Sequence, residues 1–325
     1  MDVVATAQQL ADEVLFPAAL ATDSADAVAV ELLDALAGAG LYGLAAPREA
    51  GGLDVDLLTL CAVEEALAGG CLTTTFVWGQ HHGLVHTLAA NDSAELRARW
   101  LAPLARGEIR AGLALGGALP RPTLTARATA DGWLLEGFSP FVSGWGRIDV
   151  VHAAARTEDG DVVWLIVDAV EGASLRVEPL RLVALNATAT VRASFDGLAV
   201  PAERVTAVHA AGGGTPPEVL RIHASQALGV AGRCCRLRGP SPLDDELTAC
   251  RAELDRLDPA TIEAARASAG ELALRAAAAL TTARGSSSLL LGDHAQRLAR
   301  EALFVLVYAL RPGSRDALLG RLGAS

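Results

Sequence analysis

The sequence predicts an α+β fold with an N-terminal helical domain, a central β-sandwich or β-barrel domain and a C-terminal four-helix bundle. Apolar residues recur at helical spacing through the first third of the chain and again through the last third. Between them, short runs that alternate apolar and polar residues are separated by Gly and Pro, as strands and turns require. With 325 residues, 51% of them hydrophobic, the chain can fill more than one core. The predicted domains are residues 1–108, 109–210 and 216–325.

The charge and the lysine content of the chain exclude several functions. Its 38 acidic and 27 basic residues give a net charge of −11, which is the wrong sign for a protein that binds phosphate backbones. The sequence contains no lysine, so a P-loop lysine, a Schiff-base lysine and a Ser-Lys catalytic pair are excluded. We therefore expect no nucleic-acid partner.

The cysteines and the apolar segments indicate a cytoplasmic protein. The five cysteines are odd in number and show no CxxC spacing, which argues against a disulfide framework and against a zinc site. The chain opens without a signal-peptide pattern, and no uninterrupted apolar run approaches the ~18 residues of a membrane-spanning helix. We expect no membrane span.

Four helical segments and several breakers make up the predicted N-terminal domain. Pro17, Pro47 and the pair Gly51-Gly52 interrupt the apolar pattern where helices must bend or end. The segments are Val14–Leu20, Ala27–Leu36, Leu57–Leu67 and Leu84–Leu104.

Three histidines follow the third of these segments. Only His82 and His86 share a helix face, and no Glu follows the first histidine as it does in an HExxH motif. We therefore predict that His81, His82 and His86 are structural or pocket-lining residues rather than metal ligands.

The stretch from Asp131 to Asp149, DGWLLEGFSPFVSGWGRID, is central to the predicted β domain. It reads as a strand that leads through Glu136-Gly137 into an aromatic and hydroxyl-bearing segment. A second strand follows at Val150–Arg156, where small and apolar residues alternate. The C-terminal bundle is predicted from four amphipathic segments, Ala224–Arg236, Asp244–Leu257, Pro259–Ala283 and His294–Leu310.

Several motifs resemble the acyl-CoA dehydrogenase superfamily. Phe141, Val142 and Ser143 stand where that family carries an aromatic, a β-branched residue and a hydroxyl against the flavin ring. The exit from the β domain, FDGLAVPAERV, is similar as well, and so are Pro47, Gly51, Gly52, Glu64 and Glu65 in the helical domain. The resemblance implies FAD as the cofactor, an acyl-CoA or acyl-carrier thioester as the substrate, and a homodimer, a homotetramer or a heterotetramer with a paralogue.

The resemblance also assigns site residues. It implies two sets, one for the cofactor and one for the substrate pocket. The cofactor set is Leu115, Gly116, Phe141, Val142, Ser143, Arg284 and Gly285. The substrate-pocket set is Trp78, His81, His82 and Tyr308.

The chain departs from the family at the catalytic base. The usual Tyr-Glu-Gly-Thr turn reads Tyr308-Ala309-Leu310-Arg311, and alanine cannot accept a proton. In members that carry the base on an earlier helix, the matching position is Val219, one residue from Glu218. Glu218 is therefore the candidate base, although an acid in a first helical turn also serves the helix dipole.

Three functions follow from these patterns, and the sequence leaves all three open. The first is α,β-oxidation of an acyl thioester with hydride transfer to FAD, by a displaced base. The second is a catalytically silent subunit that completes an oligomer with an active paralogue. The third is a flavin-dependent monooxygenase, in which His81, His82 or His223 would act as acid or base.

Overall fold

The N-terminal part of the molecule is helical, as predicted. The computed structural model describes residues 2–212 and 214–324. Polar side chains cap three of the helices: Asp2 accepts from the amide of Val4 at 3.1 Å, Asp56 from the amide of Thr59 at 2.7 Å, and Ser93 from the amide of Leu96 at 3.2 Å. The helices are α1 (Val3–Leu10), α2 (Phe16–Asp23), α3 (Val30–Gly38), α4 (Leu57–Gly70), α5 (Leu72–Gly79), α6 (His82–Ala89) and α7 (Ala94–Ala105).

A mixed sheet of eight strands follows within the described residues. Its order is β6-β7-β3-β2-β4-β5-β8, with β1 added parallel to β4. Its inward faces enclose one apolar cluster that includes Leu135, Val142 and Phe195. The strands are β1 (Ala111–Ala114), β2 (Leu124–Thr129), β3 (Gly132–Val142), β4 (Val150–Thr157), β5 (Val162–Asp168), β6 (Leu175–Pro179), β7 (Val191–Pro201) and β8 (Val205–His209).

The C-terminal part returns to helices that pack on one another and on α4. Their shared core is rich in Ala and Leu, so the helix axes can lie close together. The four predicted segments overlap the first four of these helices, although the last three segments each extend beyond the helix at one end, and a fifth helix follows them. The helices are α8 (Pro217–Arg238), α9 (Pro242–Leu254), α10 (Ile262–Arg284), α11 (His294–Val307) and α12 (Pro312–Arg321).

The contact between α4 and α8 depends on glycine. A Cβ on Gly229 would stand 2.4 Å from the carbonyl oxygen of Glu65, and one on Gly69 would stand 3.2 Å from the carbonyl of Gly229. No side chain fits at Gly229 unless the helices separate. These glycines therefore bring the N-terminal helices directly against the C-terminal bundle.

A second contact ties α2 to the C-terminal bundle through Phe16. Its ring stacks on the imidazole of His294 with centroids 4.1 Å apart, and the guanidinium of Arg233 lies 4.2 Å from its centroid. Ion pairs from Asp12 to Arg233 and from Asp23 to Arg300 flank this contact. The two helical parts are thus held together by aromatic, cation–π and ionic contacts.

The predicted fold class is confirmed: an N-terminal helical part, a central sheet and a C-terminal helical part follow one another in that order. The domain boundaries at residues 108, 109, 210 and 216 stay predictions. In the described part of the chain, no helix is both long enough and apolar enough to cross a bilayer.

Candidate functional site

The end of β3 presents an exposed aromatic ring. Because side chains alternate along a strand, Val142 points into the sheet's core while its neighbours Phe141 and Ser143 lie on the other face. The side chain of Phe141 is 62% exposed, which is unusual for so large an apolar residue. This face can therefore receive the flat side of a ligand ring.

A chain of hydroxyl groups fixes Ser143. Its Oγ lies 2.7 Å from Oγ1 of Thr190, which lies 2.7 Å from Oγ1 of Thr188. Thr188 donates to the carbonyl of Leu185 at 2.7 Å, so its proton is not available to Thr190. Thr190 must then donate to Thr188, and Ser143 to Thr190. Ser143 consequently offers a ligand a lone pair rather than a proton.

Helix α5 lies between this strand end and the C-terminal helices. On one side, a Cβ on Gly144 would stand 3.2 Å from Cγ1 of Val77. On the other side, the ring of Phe76 meets the rings of Phe304 and Tyr308 with centroids 5.0 Å apart. The strand end and the Tyr308 cluster therefore occupy opposite sides of one helix.

Tyr308 lies at the centre of an aromatic cluster at the end of α11. Its ring stacks on Phe304 with centroids 5.5 Å apart, and the imidazole of His223 approaches it to 5.1 Å. Burial, and then the positive charges of Arg266 and Arg311, lower the pKa of His223 to about 3. His223 is therefore neutral at physiological pH.

A buried guanidinium holds the turn that follows Tyr308. Arg266, only 3% exposed, donates to the carbonyls of Val305 at 3.0 Å and Tyr308 at 3.2 Å. Burial lowers the pKa of Arg266 to about 10, so the group stays charged. The next residue, Ala309, has a φ of +50°, in the left-handed region that residues with a Cβ rarely adopt.

A buried carboxyl group lies on the other side of Tyr308. Glu64 of α4 accepts from Nε2 of Gln226 at 2.9 Å, and the absence of a side chain at Gly79 leaves room for it. Burial raises the pKa of Glu64 to about 7. Burial and the nearby Glu64 carboxylate raise the pKa of the Tyr308 hydroxyl. From the sequence, Glu64 served only as a marker of the fold; the signal that could have drawn attention to it is the pair of adjacent acids, Glu64 and Glu65, in an otherwise apolar helix.

Comparison with known proteins finds relatives for this chain. Residues 2–108 match the family model "Acyl-CoA dehydrogenase, N-terminal domain". The human mitochondrial short-chain specific acyl-CoA dehydrogenase is 23% identical over 241 residues, which cover 70% of this chain and 58% of that enzyme. The chain is thus similar to acyl-CoA dehydrogenases, and the family model covers its N-terminal helical part. It spans little more than half the length of that curated relative.

Two solved structures share the fold over the whole chain. A glutaryl-CoA dehydrogenase from Mycobacterium smegmatis in complex with FADH2 aligns with a TM-score of 0.81 at 18% identity, covering 100% of this chain and 94% of that one. The dibenzothiophene monooxygenase from Paenibacillus sp. A11-2 aligns with a TM-score of 0.80 at 17% identity, covering 100% and 98%. At such identities the likeness establishes the fold alone.

Neither candidate position for the superfamily's base carries a buried carboxylate. Ala309 follows Tyr308, and the side chains that face this turn are the cations of Arg266 and Arg311. Glu218 is exposed in the first turn of α8. At this exposed position in a first helical turn, Glu218 fits the role of compensating the helix dipole.

Some of the predicted cofactor residues lie at the exposed end of β3, and others are packed against protein atoms. Phe141 and Ser143 lie together at the open strand end, with Val142 buried behind them. Gly116 and Gly117 are packed on the sheet, where a Cβ would stand 2.6 Å from the Phe138 carbonyl and 2.4 Å from the Ala155 Cα respectively. The side chain of Leu115 is exposed.

The remaining predicted cofactor residues follow α10. Arg284 donates to Asp293 at 3.0 Å, and Gly285, with a φ of +65°, ends the helix. The strand end offers the exposed ring of Phe141. Gly116 is packed on protein and Arg284 already pairs with Asp293, whereas nothing lies within 4 Å of the position that a Cβ would take at Gly285.

The predicted pocket histidines lie beside the N-terminal core. Nδ1 of His81 accepts from the amide of Ala111 at 3.2 Å, which links α6 to β1. Trp78 is buried in the N-terminal core and meets the ring of His82 at 4.4 Å. Of the predicted pocket set, Tyr308 alone lies in the aromatic cluster described above. Among the described residues, no group of three His, Cys, Asp or Glu is placed to hold a metal ion.

Proposed function

We propose that this chain is a catalytically silent subunit that forms an oligomer with an active acyl-CoA dehydrogenase paralogue. The observation that carries the proposal is the turn at Tyr308 and Ala309. Oxidation of an acyl thioester requires a base that removes the α-proton, and this turn offers cations in its place. The α,β-oxidation that the resemblance implies stays a prediction for the chain acting alone.

The flavin part of the site supports an oligomer. Phe141 would lie against the ring of FAD and Ser143 would accept a hydrogen bond from it. When bound, FAD supplies hydride transfer. The diphosphate would need cationic or backbone donors from elsewhere, because Arg284 already pairs with Asp293. A second subunit could supply them.

An exposed apolar surface supports the same proposal. We call it the α11 surface; it consists of Val183, Leu289, Leu290, Leu291, Leu303 and Val307, each at least half exposed. Hydrogen bonds connect its parts: Arg300 donates to the carbonyl of Val183, and Gln296 to that of Leu291. Contiguous apolar surface of this kind marks contacts with other chains.

This proposal can be tested by measuring the flavin absorbance and the native mass of the chain. The chain is purified once alone and once after co-expression with an acyl-CoA dehydrogenase of the same organism. We expect the chain alone to show little flavin absorbance and no bleaching by acyl-CoA. The co-expressed pair should purify as one flavin-containing complex. A chain that is yellow alone and is bleached by an acyl-CoA would overturn the proposal in favour of α,β-oxidation.

A second candidate function is a flavin-dependent monooxygenase. It is favoured by the structural likeness to the dibenzothiophene monooxygenase and by the neutral, enclosed His223 beside Tyr308. Such a reaction needs no base for an α-proton. Oxygen consumption by the chain loaded with reduced FAD, compared with free reduced FAD, separates this function from a silent subunit.

A further inference from the structure

The turn at Tyr308 and Ala309 carries two cations, Arg266 and Arg311, that form no ion pair within the described residues. The buried Glu64, which acts on the Tyr308 hydroxyl, hydrogen-bonds to Gln226 rather than to either cation. Within the described residues, Arg266 forms no ion pair, and its hydrogen bonds go to main-chain carbonyls. The acid one turn earlier on the same helix, Glu263, accepts instead from the Ser314 hydroxyl at 3.0 Å. A buried guanidinium without a counter-ion is costly, so the site favours an anion.

Two further polar groups at the turn have no hydrogen-bond partner. Nε of Arg311 and Nδ1 of His223 are both enclosed and unbonded in the described part of the chain. Arg311 lies close enough to lower the pKa values of His223 and of Tyr308 electrostatically, so the three side chains share one neighbourhood. Enclosed donors without partners indicate a missing ligand or water.

The walls of this site are aromatic and partly open to solvent. Phe76, Phe304 and Tyr308 form one side, and the last two, with His223 and Arg311, are half-buried rather than closed off. Aromatic walls remove water from an apolar chain or ring, while the cations orient a charged end.

We propose that the cluster of His223, Arg266, Tyr308 and Arg311 binds a carboxylate attached to an apolar chain or ring. Planar guanidinium groups match the two oxygens of a carboxylate, and the neutral imidazole adds one hydrogen bond. The apolar part of the ligand lies against Phe304 and Tyr308. A phosphate would also satisfy the cations, but it would leave the aromatic walls without an apolar group to cover. In a silent subunit, the site that relatives use for catalysis would thus serve for binding.

Calorimetric titration of the full chain with hexanoate and with hexan-1-ol tests the site. The two probes share the alkyl chain and differ in the charge, so we expect hexanoate to bind at least about tenfold more tightly. Arg311→Gln should weaken hexanoate binding by about tenfold or more. Arg315→Gln is the matched control, because Arg315 lies exposed on α12 and pairs with Asp316.

His223→Phe is a second variant, which keeps the aromatic wall and removes the imidazole; it too should weaken hexanoate binding. Equal affinities for hexanoate and hexan-1-ol, or unchanged hexanoate affinity in both folded variants, would refute the site. Displacement of hexanoate by inorganic pyrophosphate at lower concentration would refute the carboxylate assignment in favour of a phosphate. Flavin absorbance of the same samples separates the two proposals. If the chain binds hexanoate but is also yellow and is bleached by an acyl-CoA, the carboxylate site would be supported. The proposal that the chain is a catalytically silent subunit would then be refuted.

Discussion

At the scale of single residues, the sequence was most informative where a side chain has one clear requirement. Phe141, Val142 and Ser143 were singled out by their resemblance to a flavin-contacting segment, and in the structure Phe141 is exposed whereas Val142 and Ser143 are buried. Glu64 could not be assigned a role, because its environment is formed by Gln226 on a distant helix and by the space at Gly79. The spacing of residues along the sequence does not reveal contacts between helices that lie so far apart in the chain.

Glu64→Gln tests the buried carboxyl. The pKa of Glu64 rises from 4.5 to about 7 on folding, so its contribution to stability is complete below pH 4.5 and is lost as the pH rises through 7. At about 1.4 kcal/mol per pKa unit this corresponds to roughly 3 kcal/mol. The quantity to compare is the unfolding free energy of the wild type minus that of the variant. We expect this difference to decrease by roughly 3 kcal/mol between pH 4.5 and pH 8.

The difference between the two proteins is the quantity to measure, by urea unfolding at each pH. The buried histidines, whose pKa values are lowered, titrate in both proteins and cancel. Glu218→Gln, at an exposed position, is the control and should change the difference less than Glu64→Gln does. If the difference in unfolding free energy between the wild type and Glu64→Gln did not change with pH, the Glu64 carboxyl would not be desolvated.

Phe141→Ala tests the exposed ring. Because the side chain is 62% exposed, its loss should change stability by less than about 0.5 kcal/mol. Its contact with a flavin ring should matter more, and we expect FAD affinity of the oligomer to drop by about tenfold. Phe138→Ala is the matched control on the same strand, since the guanidinium of Arg192 covers that ring at 3.8 Å. Equal FAD affinity in the two variants would argue against ring contact at Phe141.

At the scale of elements, helix and strand types were predictable and several ends were not. The strand pair around residues 131–156 follows from alternation and appears as β3 and β4. The segment Leu84–Leu104 was predicted as one helix, but it divides into α6 and α7. Asn91 separates them: its side chain accepts from the amide of Ser93 at 2.8 Å and donates to the carbonyl of Thr206 at 2.6 Å. The second bond joins residues 115 positions apart, so local pattern could not reveal it.

Gly229→Ala and Gly232→Ala, both on α8, test the helix contact. A Cβ at 229 would meet the Glu65 carbonyl at 2.4 Å, so we expect a loss of roughly 1–3 kcal/mol in unfolding free energy. At 232 the nearest atom would be 3.5 Å away, and alanine should stabilise the helix by about 0.5–1 kcal/mol. Denaturant unfolding of the two variants gives the comparison. Similar losses at both positions would show that α4 and α8 do not pack this closely.

At the scale of the whole molecule, the order of helical, sheet and helical parts was predictable because each part has its own hydrophobic period. The way the parts join was not. The contact of Phe16 with His294 and Arg233 links residues more than 200 positions apart. The α11 surface also escaped prediction, because apolar residues at helical spacing look alike whether they face a core or solvent.

Leu291→Asp tests whether the α11 surface is an interface. Leu291 is 81% exposed, so the charge should leave the fold intact while preventing association. We expect the variant to stay apart from its co-expressed partner and to run at a lower mass by light scattering. Val170→Asp, 69% exposed in the turn after β5, should behave as the wild type. Association that survives Leu291→Asp would place the interface elsewhere.

The cations at the turn after Tyr308 decide what an acid placed there could do. A glutamate at position 309 would take over a backbone with a φ of +50° that already carries the Cβ of alanine, so the longer side chain would add little strain of its own. It would meet Arg266 and Arg311, and an ion pair with either would hold its pKa down when proton abstraction calls for the opposite. A working base at this turn would therefore require removing the cations as well as adding the acid, so Ala309→Glu alone should not produce one.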